Sequence, residues 1–241
     1  MNKILIGTSG WMYKSWERDF YPDGLRSADE LHYYAREFCT VEINNSFYKL
    51  PSPKTFSNWA AQVPEEFTFA VKASRYLTHI KRLKESEAAL ENIYNSASHL
   101  ESKLGPILVQ LPPRWHKNLQ RLEKFLASAR MIEGVRWVIE FRDESWHDST
   151  VYSLLEKYDA ALCIADSYKL ERHDRLTADF TYFRYHGRTP HDAPNYTAAQ
   201  LKHEAMKIQT LSAHVDKVFV YFNNDAKGHA VRNAKALREL L

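Results

Sequence analysis

Cysteine is nearly missing. The 241 residues hold two, Cys39 and Cys163, each beside an apolar segment and without a partner at ligand spacing. That excludes a disulfide frame and a thiolate zinc site, and it fits reduced core residues of a cytoplasmic protein. No apolar run approaches the ~20 residues of a membrane span, so no membrane partner is expected. The opening "MNKILIGTSGW" has one lysine and few apolar residues before Gly7, which reads as a first strand rather than a signal peptide. Charge of one sign is scarce as well. The net charge is +3, compatible with an anionic ligand but too weak for a nucleic-acid coat. There is no low-complexity stretch and no Pro/Gly/Ser linker, so a single domain over 1–241 is expected. Nucleotide and nucleophile motifs are absent. "GTSGW" lacks the last glycine of G-x-S-x-G, and no Walker or dinucleotide fingerprint occurs, so no cofactor is expected.

What is present is a rhythm. Eight β-rich runs recur: "KILIG", "CTVEIN", "FTFAVKAS", "PILVQLP", "RWVIEF", "AALCIAD", "FTYFRYH" and "KVFVYFNN". Helical patterns lie between most of them. Ser27 to Glu30 reads as a capping box, and Ser52-Pro53 as a cap with proline at the first helical position. "ESEAALENIYNSASHLESKL" reads as one long helix stopped by Gly105-Pro106. "NLQRLEKFLASA" puts Leu119, Leu122, Phe125 and Leu126 on one face. Asp148 and Thr197 cap two later helices, and "GHAVRNAKALRELL" forms the last one. Between the sixth and seventh runs, "YKLERHDRLTAD" reads mostly as loop. Eight strands and seven or eight helices in about 240 residues is the length of a TIM (β/α)8 barrel. An open doubly wound sheet is the structural alternative.

The two-residue period of a strand then sorts each run into faces. Val41 and Ile43 oppose Glu42, Asn44 and Ser46. Phe69, Val71 and Ala73 oppose Ala70, Lys72 and Ser74. Ile107 and Val109 oppose Leu108 and Gln110. Trp137, Ile139 and Phe141 oppose Val138, Glu140 and Arg142. Phe183 and Tyr185 oppose Tyr182, Arg184 and His186. Asp166 aligns with Leu162 and Ile164, and Asn223 with Phe219 and Tyr221. In a barrel one face meets the helices and the other fills the interior, and the C-terminal strand ends carry the active site. The polar set therefore lines a pocket at the mouth, with Glu140 and Arg142 in its floor. A structural ion-pair network is the bland alternative, yet buried ion pairs stabilise poorly because desolvation offsets the attraction.

Seven stretches in order, "GTSGWMYKSWERDFYP", "VEINNSFYKLP", "VKASRYLTH", "ILVQLPPRW", "IEFRDESW", "YFRYHGR" and "VYFNNDAKGHAVRNA", resemble the YecE-like family (domain of unknown function 72). The resemblance runs nearly end to end. It implies a TIM barrel and a bacterial or archaeal intracellular protein, and it implies no activity. Two places depart from the family pattern: Asp143, where histidine is common after Glu-Phe-Arg, and Asp225 after the Asn-Asn pair. Position 143 therefore supplies no histidine for a general-acid role.

Candidate roles follow from side-chain chemistry. Lys72, Arg142, Arg184 and Arg188 supply positive charge for phosphate or carboxylate. Asn44, Gln110, Asn223 and Asn224 add hydrogen bonds, and Gly228 to Ala230 would open the last helix with free N–H groups for an anion. Glu42, Glu140, Asp166 and His186 are the candidate proton-moving groups, with Glu140 held ionised by a neighbouring arginine. The same four offer an oxygen-rich metal site in principle, but basic side chains compete for their oxygens, and no H-x-H, HExxH or CxxC pair occurs. No metal is expected. Trp11, Tyr13, Trp16, Phe47, Tyr48, Trp115 and Trp146 lie in or near loops, where one or two would wall a sugar or base. The favoured reading is an enzyme on a phosphorylated or otherwise anionic substrate, a sugar phosphate or nucleic-acid end, by hydrolysis or isomerisation. The rival is a non-catalytic nucleic-acid- or partner-binding module using Lys202, Lys207, Lys235 and Arg238. A metal-dependent isomerase or endonuclease-like barrel is a third reading, by fold analogy.

Overall fold

The computed structural model describes residues 3–187 and 195–241. Eight parallel strands, β1 (Ile4–Thr8), β2 (Thr40–Ile43), β3 (Thr68–Lys72), β4 (Leu104–Gln110), β5 (Trp137–Glu140), β6 (Ala161–Ser167), β7 (Phe180–Gly187) and β8 (Lys217–Phe222), form one sheet in the order β1-β8-β7-β6-β5-β4-β3-β2. The two edges meet. Ser9 bridges Glu42, and the Gly10 N–H donates to the Glu42 carbonyl at 2.8 Å. Below that point the Tyr34 hydroxyl replaces a ladder bond, accepting from the Thr8 N–H at 2.9 Å and donating to the Thr40 carbonyl at 3.0 Å. Gly7 permits this closure, because a Cβ there would lie 2.1 Å from the Thr40 oxygen. The fold is a nearly closed (β/α)8-type barrel.

Helices α1 (Glu30–Glu37), α2 (Pro53–Ala60), α3 (Glu87–Ala97), α4 (Leu119–Arg130), α5 (Ser149–Lys157), α6 (Ala198–Ser212) and α7 (His229–Glu239) surround it. No helix among the described residues is long and apolar enough to cross a membrane. Local chemistry sets most of their starts. Ser52 Oγ accepts from the Thr55 N–H, Asn118 Oδ1 from Arg121, Asp148 Oδ1 from Val151, and Thr197 forms a full capping box with Gln200. As expected, the chain between β6 and β7 forms no helix over its described length.

Two expectations fail for identifiable reasons. Ser27 does not box α1: residues 27–29 form a 3-10 turn, and α1 begins after Asp29 with no side-chain cap. The long helix ends early, at Ala97. A 3-10 segment, Ser98–Lys103, follows, with Glu101 at φ 56°. Gly105 and Pro106 are then strand, not a helix stop. A Cβ on Gly105 would sit 2.5 Å from Thr68 Cγ2, so this glycine serves close strand approach instead.

The core has two layers, as the alternation requires. The helix-facing sides of the strands, including Ile43, Phe69, Val71, Ile107, Val109 and Ile139, pack on Leu31, Phe56, Leu90, Leu122, Leu155 and Ile208 of the helices. Leu119 at the start of α4 is left about a third exposed. The barrel's lower interior holds a separate apolar plug of Leu5, Ala70, Leu108, Val138, Phe180 and Phe219. Each fully buried large side chain contributes roughly 1.5–3 kcal/mol. The plug fills the interior from below, where the buried Thr40 and Tyr221 hydroxyls pair at 2.6 Å, and the charged groups gather at the upper end.

Candidate functional site

Arg184, on the inward face of β7, is the hub. Its Nη1 donates to Glu140 Oε2 of β5 at 2.6 Å, and its Nη2 donates to Glu42 Oε1 of β2 at 2.8 Å, spanning the interior. Tyr182, two residues back on the same face, donates to Glu42 Oε2 at 2.6 Å. Gln110 Oε1, beside Glu140 in the sheet, lies 3.5 Å from Arg184 Nη1. Glu42, Glu140 and Arg184 are at most 1 % exposed, so solvent does not reach this layer.

A second layer covers it. Arg142 Nη2 forms an ion pair with Glu140 Oε1 and donates to His186 Nε2 at 2.9 Å. His186 Nδ1 lies 2.9 Å from the Asn223 amide. A guanidinium only donates, so a neutral His186 ring accepts from Arg142 at Nε2; the proton this leaves on Nδ1 requires the Asn223 amide to turn its oxygen, in place of Nδ2, toward the ring. Lys72, from β3, places its ammonium 4.4 Å over the Phe47 ring, and no hydrogen bond or ion pair holds it among the described residues. Lys72, Arg142, His186 and Asn223 are half-buried, so this is the layer that solvent meets.

The electrostatics follow from these contacts. Burial raises the Glu42 pKa, but Arg184, the Tyr182 hydroxyl and Lys72 outweigh it and hold it below the usual carboxylate value. Burial likewise opposes Glu140, and Arg142 and Arg184 together pull it well below. Lys72 falls to about 8, through burial and then repulsion from Arg184, partly offset by Glu42 and Glu140. His186 falls to about 4, mainly through burial, against the pull of Glu140. Two ionised carboxylates therefore face three cations, Arg142, Arg184 and Lys72, and a neutral imidazole.

The structure thus brings together Glu42, Lys72, Gln110, Glu140, Arg142, Arg184, His186 and Asn223. Others stand elsewhere. Asp166 follows the parity of Leu162 and Ile164 to the outer face, where it accepts from the Tyr196 hydroxyl at 2.7 Å; its assignment to the mouth is corrected. Asn224 also points outward, donating to Asn233 Oδ1 of α7 at 2.9 Å, so it ties β8 to a helix instead of lining the mouth. Trp11 is buried edge-on against Trp59 at 5.2 Å, under the loops. Trp16, Trp115 and Trp146 are buried too, and Tyr48 is 84 % exposed; of the aromatic wall, Phe47 meets Lys72, and the Tyr13 hydroxyl, donating to the Ser9 carbonyl, lies within the field of Glu42 and Arg184. Gly228 caps α7 in a left-handed conformation with its N–H donated to the Asp225 carbonyl at 3.1 Å. Asn44 opens the 3-10 turn 45–47 at the end of β2. Arg188 lies outside the described residues. A cleft of about 600 Å³ opens at the opposite end of the barrel, near Leu5, Cys39, Phe67 and Phe219, and does not touch this cluster.

Sequence reasoning gave Tyr182 no role, although its inward parity two residues before Arg184 was a usable signal. It gave Glu144, His147 and His173 no role either. Histidines 26 residues apart in two loops form no motif.

Fold and mouth define a class: a (β/α)8-type barrel with a cationic polar cluster at its strand C-termini. The chain belongs to the DUF72 family, "Protein of unknown function DUF72", whose model matches residues 5–241. It is 25% identical to UPF0759 protein YunF of Bacillus subtilis (strain 168) over 99% of this chain and 94% of that protein. It is 30% identical to UPF0759 protein YecE of Escherichia coli (strain K12) over 52% of this chain and 44% of that protein. A solved DUF72 family structure from Thermotoga maritima MSB8 superposes with a TM-score of 0.89 at 28% identity, covering 99% of both chains. One from Enterococcus faecalis V583 shares the fold at TM-score 0.83 and 21% identity, over 100% of this chain and 98% of that one.

Proposed function

We propose that the barrel mouth binds a small anionic substrate, carrying a phosphate or carboxylate, and that the chain is an enzyme moving protons on it, by isomerisation or hydrolysis. The observation that carries this reading is Lys72. A cation is half-buried beside two arginines while both nearby carboxylates are already engaged, an arrangement unfavourable until an anion arrives. Arg142 stands in the same solvent-facing layer and suits an anion's oxygens.

The buried carboxylates are poor bases, because their arginines keep them ionised. Their role in this reading is to position Arg184, Arg142 and His186. The group suited to proton transfer near neutral pH is Lys72, near 8; His186, near 4, is neutral there and serves as a hydrogen-bonding group.

The rival binding module has less support. Lys207 pairs with Asp174 and Lys235 with Glu37, each at 2.8 Å, so these helical cations already face acids. Titration of the protein with inorganic phosphate, followed by NMR, tests the proposal. Saturable shifts centred on Lys72, Arg142, His186 and Asn223 are expected. No saturable binding, or shifts spread over the outer helices that vanish steeply with salt, would favour the rival instead.

A further inference from the structure

We propose that Glu144, His147 and His173 form a binding site for one divalent transition-metal ion of the zinc class, at the rim of the barrel and separate from the anion-binding cluster. Glu144 and His147 lie in the segment joining β5 to α5, and His173 in the segment joining β6 to β7. A ring nitrogen of each histidine and a carboxylate oxygen of Glu144 all lie within 4.8 Å of one another. Glu144 Oε1 is 2.8 Å from His173 Nε2.

Three features set this cluster apart from a chance meeting of polar side chains. First, the two imidazoles are stacked, centroids 3.9 Å apart and planes 12° from parallel. Close stacking of this kind is the less favoured aromatic geometry, and it holds nitrogen lone pairs side by side. Second, the Tyr152 hydroxyl sits 3.2 Å from His147 Nδ1. It occupies one nitrogen, leaves Nε2 as the donor, and fixes the ring as outer partners of metal-bound histidines do. Third, a neighbouring cation is engaged elsewhere: Arg175, over the Tyr152 ring, donates to Glu156 at 2.8 Å.

Two imidazoles and a carboxylate select zinc, nickel or copper over calcium and magnesium, which take oxygen ligands. Glu144 is exposed and both rings are half-buried, so water has access to complete the coordination. The ion would clamp the helix-free β6–β7 segment to the loop that begins just beyond Glu140 and Arg142.

The test is a zinc chloride titration of the whole, chelator-stripped protein by calorimetry, paired with cobalt substitution read by visible absorption. One equivalent of zinc is expected, with a visible cobalt band of low-coordinate geometry, both lost in His147→Ala and in His173→Ala. Because Glu144 is exposed, Glu144→Gln should keep the wild-type melting temperature while weakening zinc at least tenfold. Tyr152→Phe should weaken it about tenfold through the lost outer hydrogen bond. The absence of saturable zinc binding, or undiminished binding in the two histidine variants, would overturn the site.

Discussion

Two buried ion networks sit on the two faces of β7, and they differ in one respect. On the outer face, Glu204 of α6 accepts from Arg172 Nη1 at 2.5 Å and from the Tyr185 hydroxyl at 2.8 Å, while Asp174 holds Arg172 and Lys207. Two cations there meet two carboxylates among the described residues. On the inner face, Arg184 meets Glu42 and Glu140, Arg142 shares Glu140, and Lys72 has no carboxylate to itself. Both networks are costly to desolvate. Among the described residues the outer one is balanced, and its account is packing. The inner one carries a surplus cation, and that asymmetry marks it as a place for a ligand.

Breaking the outer network should give the largest stability loss with the least effect on binding. Glu204→Ala leaves the buried Tyr185 hydroxyl and Arg172 Nη1 without their shared acceptor, and a loss of ~3–5 kcal/mol is expected. Urea unfolding measures it, and phosphate affinity should stay at the wild-type value. Breaking the inner network costs both quantities. Glu140→Gln keeps the shape but removes the charge facing two guanidinium groups, so ~1–3 kcal/mol and most of the anion affinity should be lost together. A stability loss with unchanged phosphate binding would make the inner network structural like the outer one.

Acidity sharpens the contrast next. His186 has its folded pKa, about 4, below the ordinary 6.5. The stability it contributes is therefore present above pH ~6.5 and lost as pH falls through about 4. Melting curves of His186→Asn against wild type should converge as pH falls over that window. On the alkaline side, sulfate, whose own charge is constant there, should bind about tenfold more weakly per pH unit above 8, as Lys72 gives up its proton. The smallest effect belongs to the outer rim. Lys207→Ala removes a partly exposed pair with Asp174 and should cost below ~1 kcal/mol.

Much of this arrangement was legible because strand parity is strict. Glu42, Lys72, Gln110, Glu140, Arg184 and His186 all fall inward by counting in twos, and the pairing of Glu140 with Arg142 follows from it. The same count, applied to Asp166, puts it with Leu162 and Ile164 on the outer face, and its carboxylate alone was a misleading reason to bring it in. Parity carries no information about depth. The expected floor pair divides: Glu140 lies with Glu42 in a layer closed to solvent, while Arg142 and His186 fold over it, a contact between the chain after β5 and β7 that no local pattern encodes. Gly105 was misread for a related reason: glycine after a helical run is an ordinary stop, and only the nearness of Thr68 on β3 reveals its use. The stacking of His147 on His173 joins two loops through tertiary structure alone.

The central claim is that the surplus cation is kept for a ligand at the expense of the fold, and Lys72→Met tests it most directly. Methionine keeps the length and the Phe47 contact while removing a charge that burial and Arg184 disfavour. Phosphate calorimetry and thermal melting should be run together on this one variant. The expected result is binding abolished and stability raised by about 1 kcal/mol, a trade of stability for function. A variant that melts lower than wild type and still binds phosphate would contradict the account.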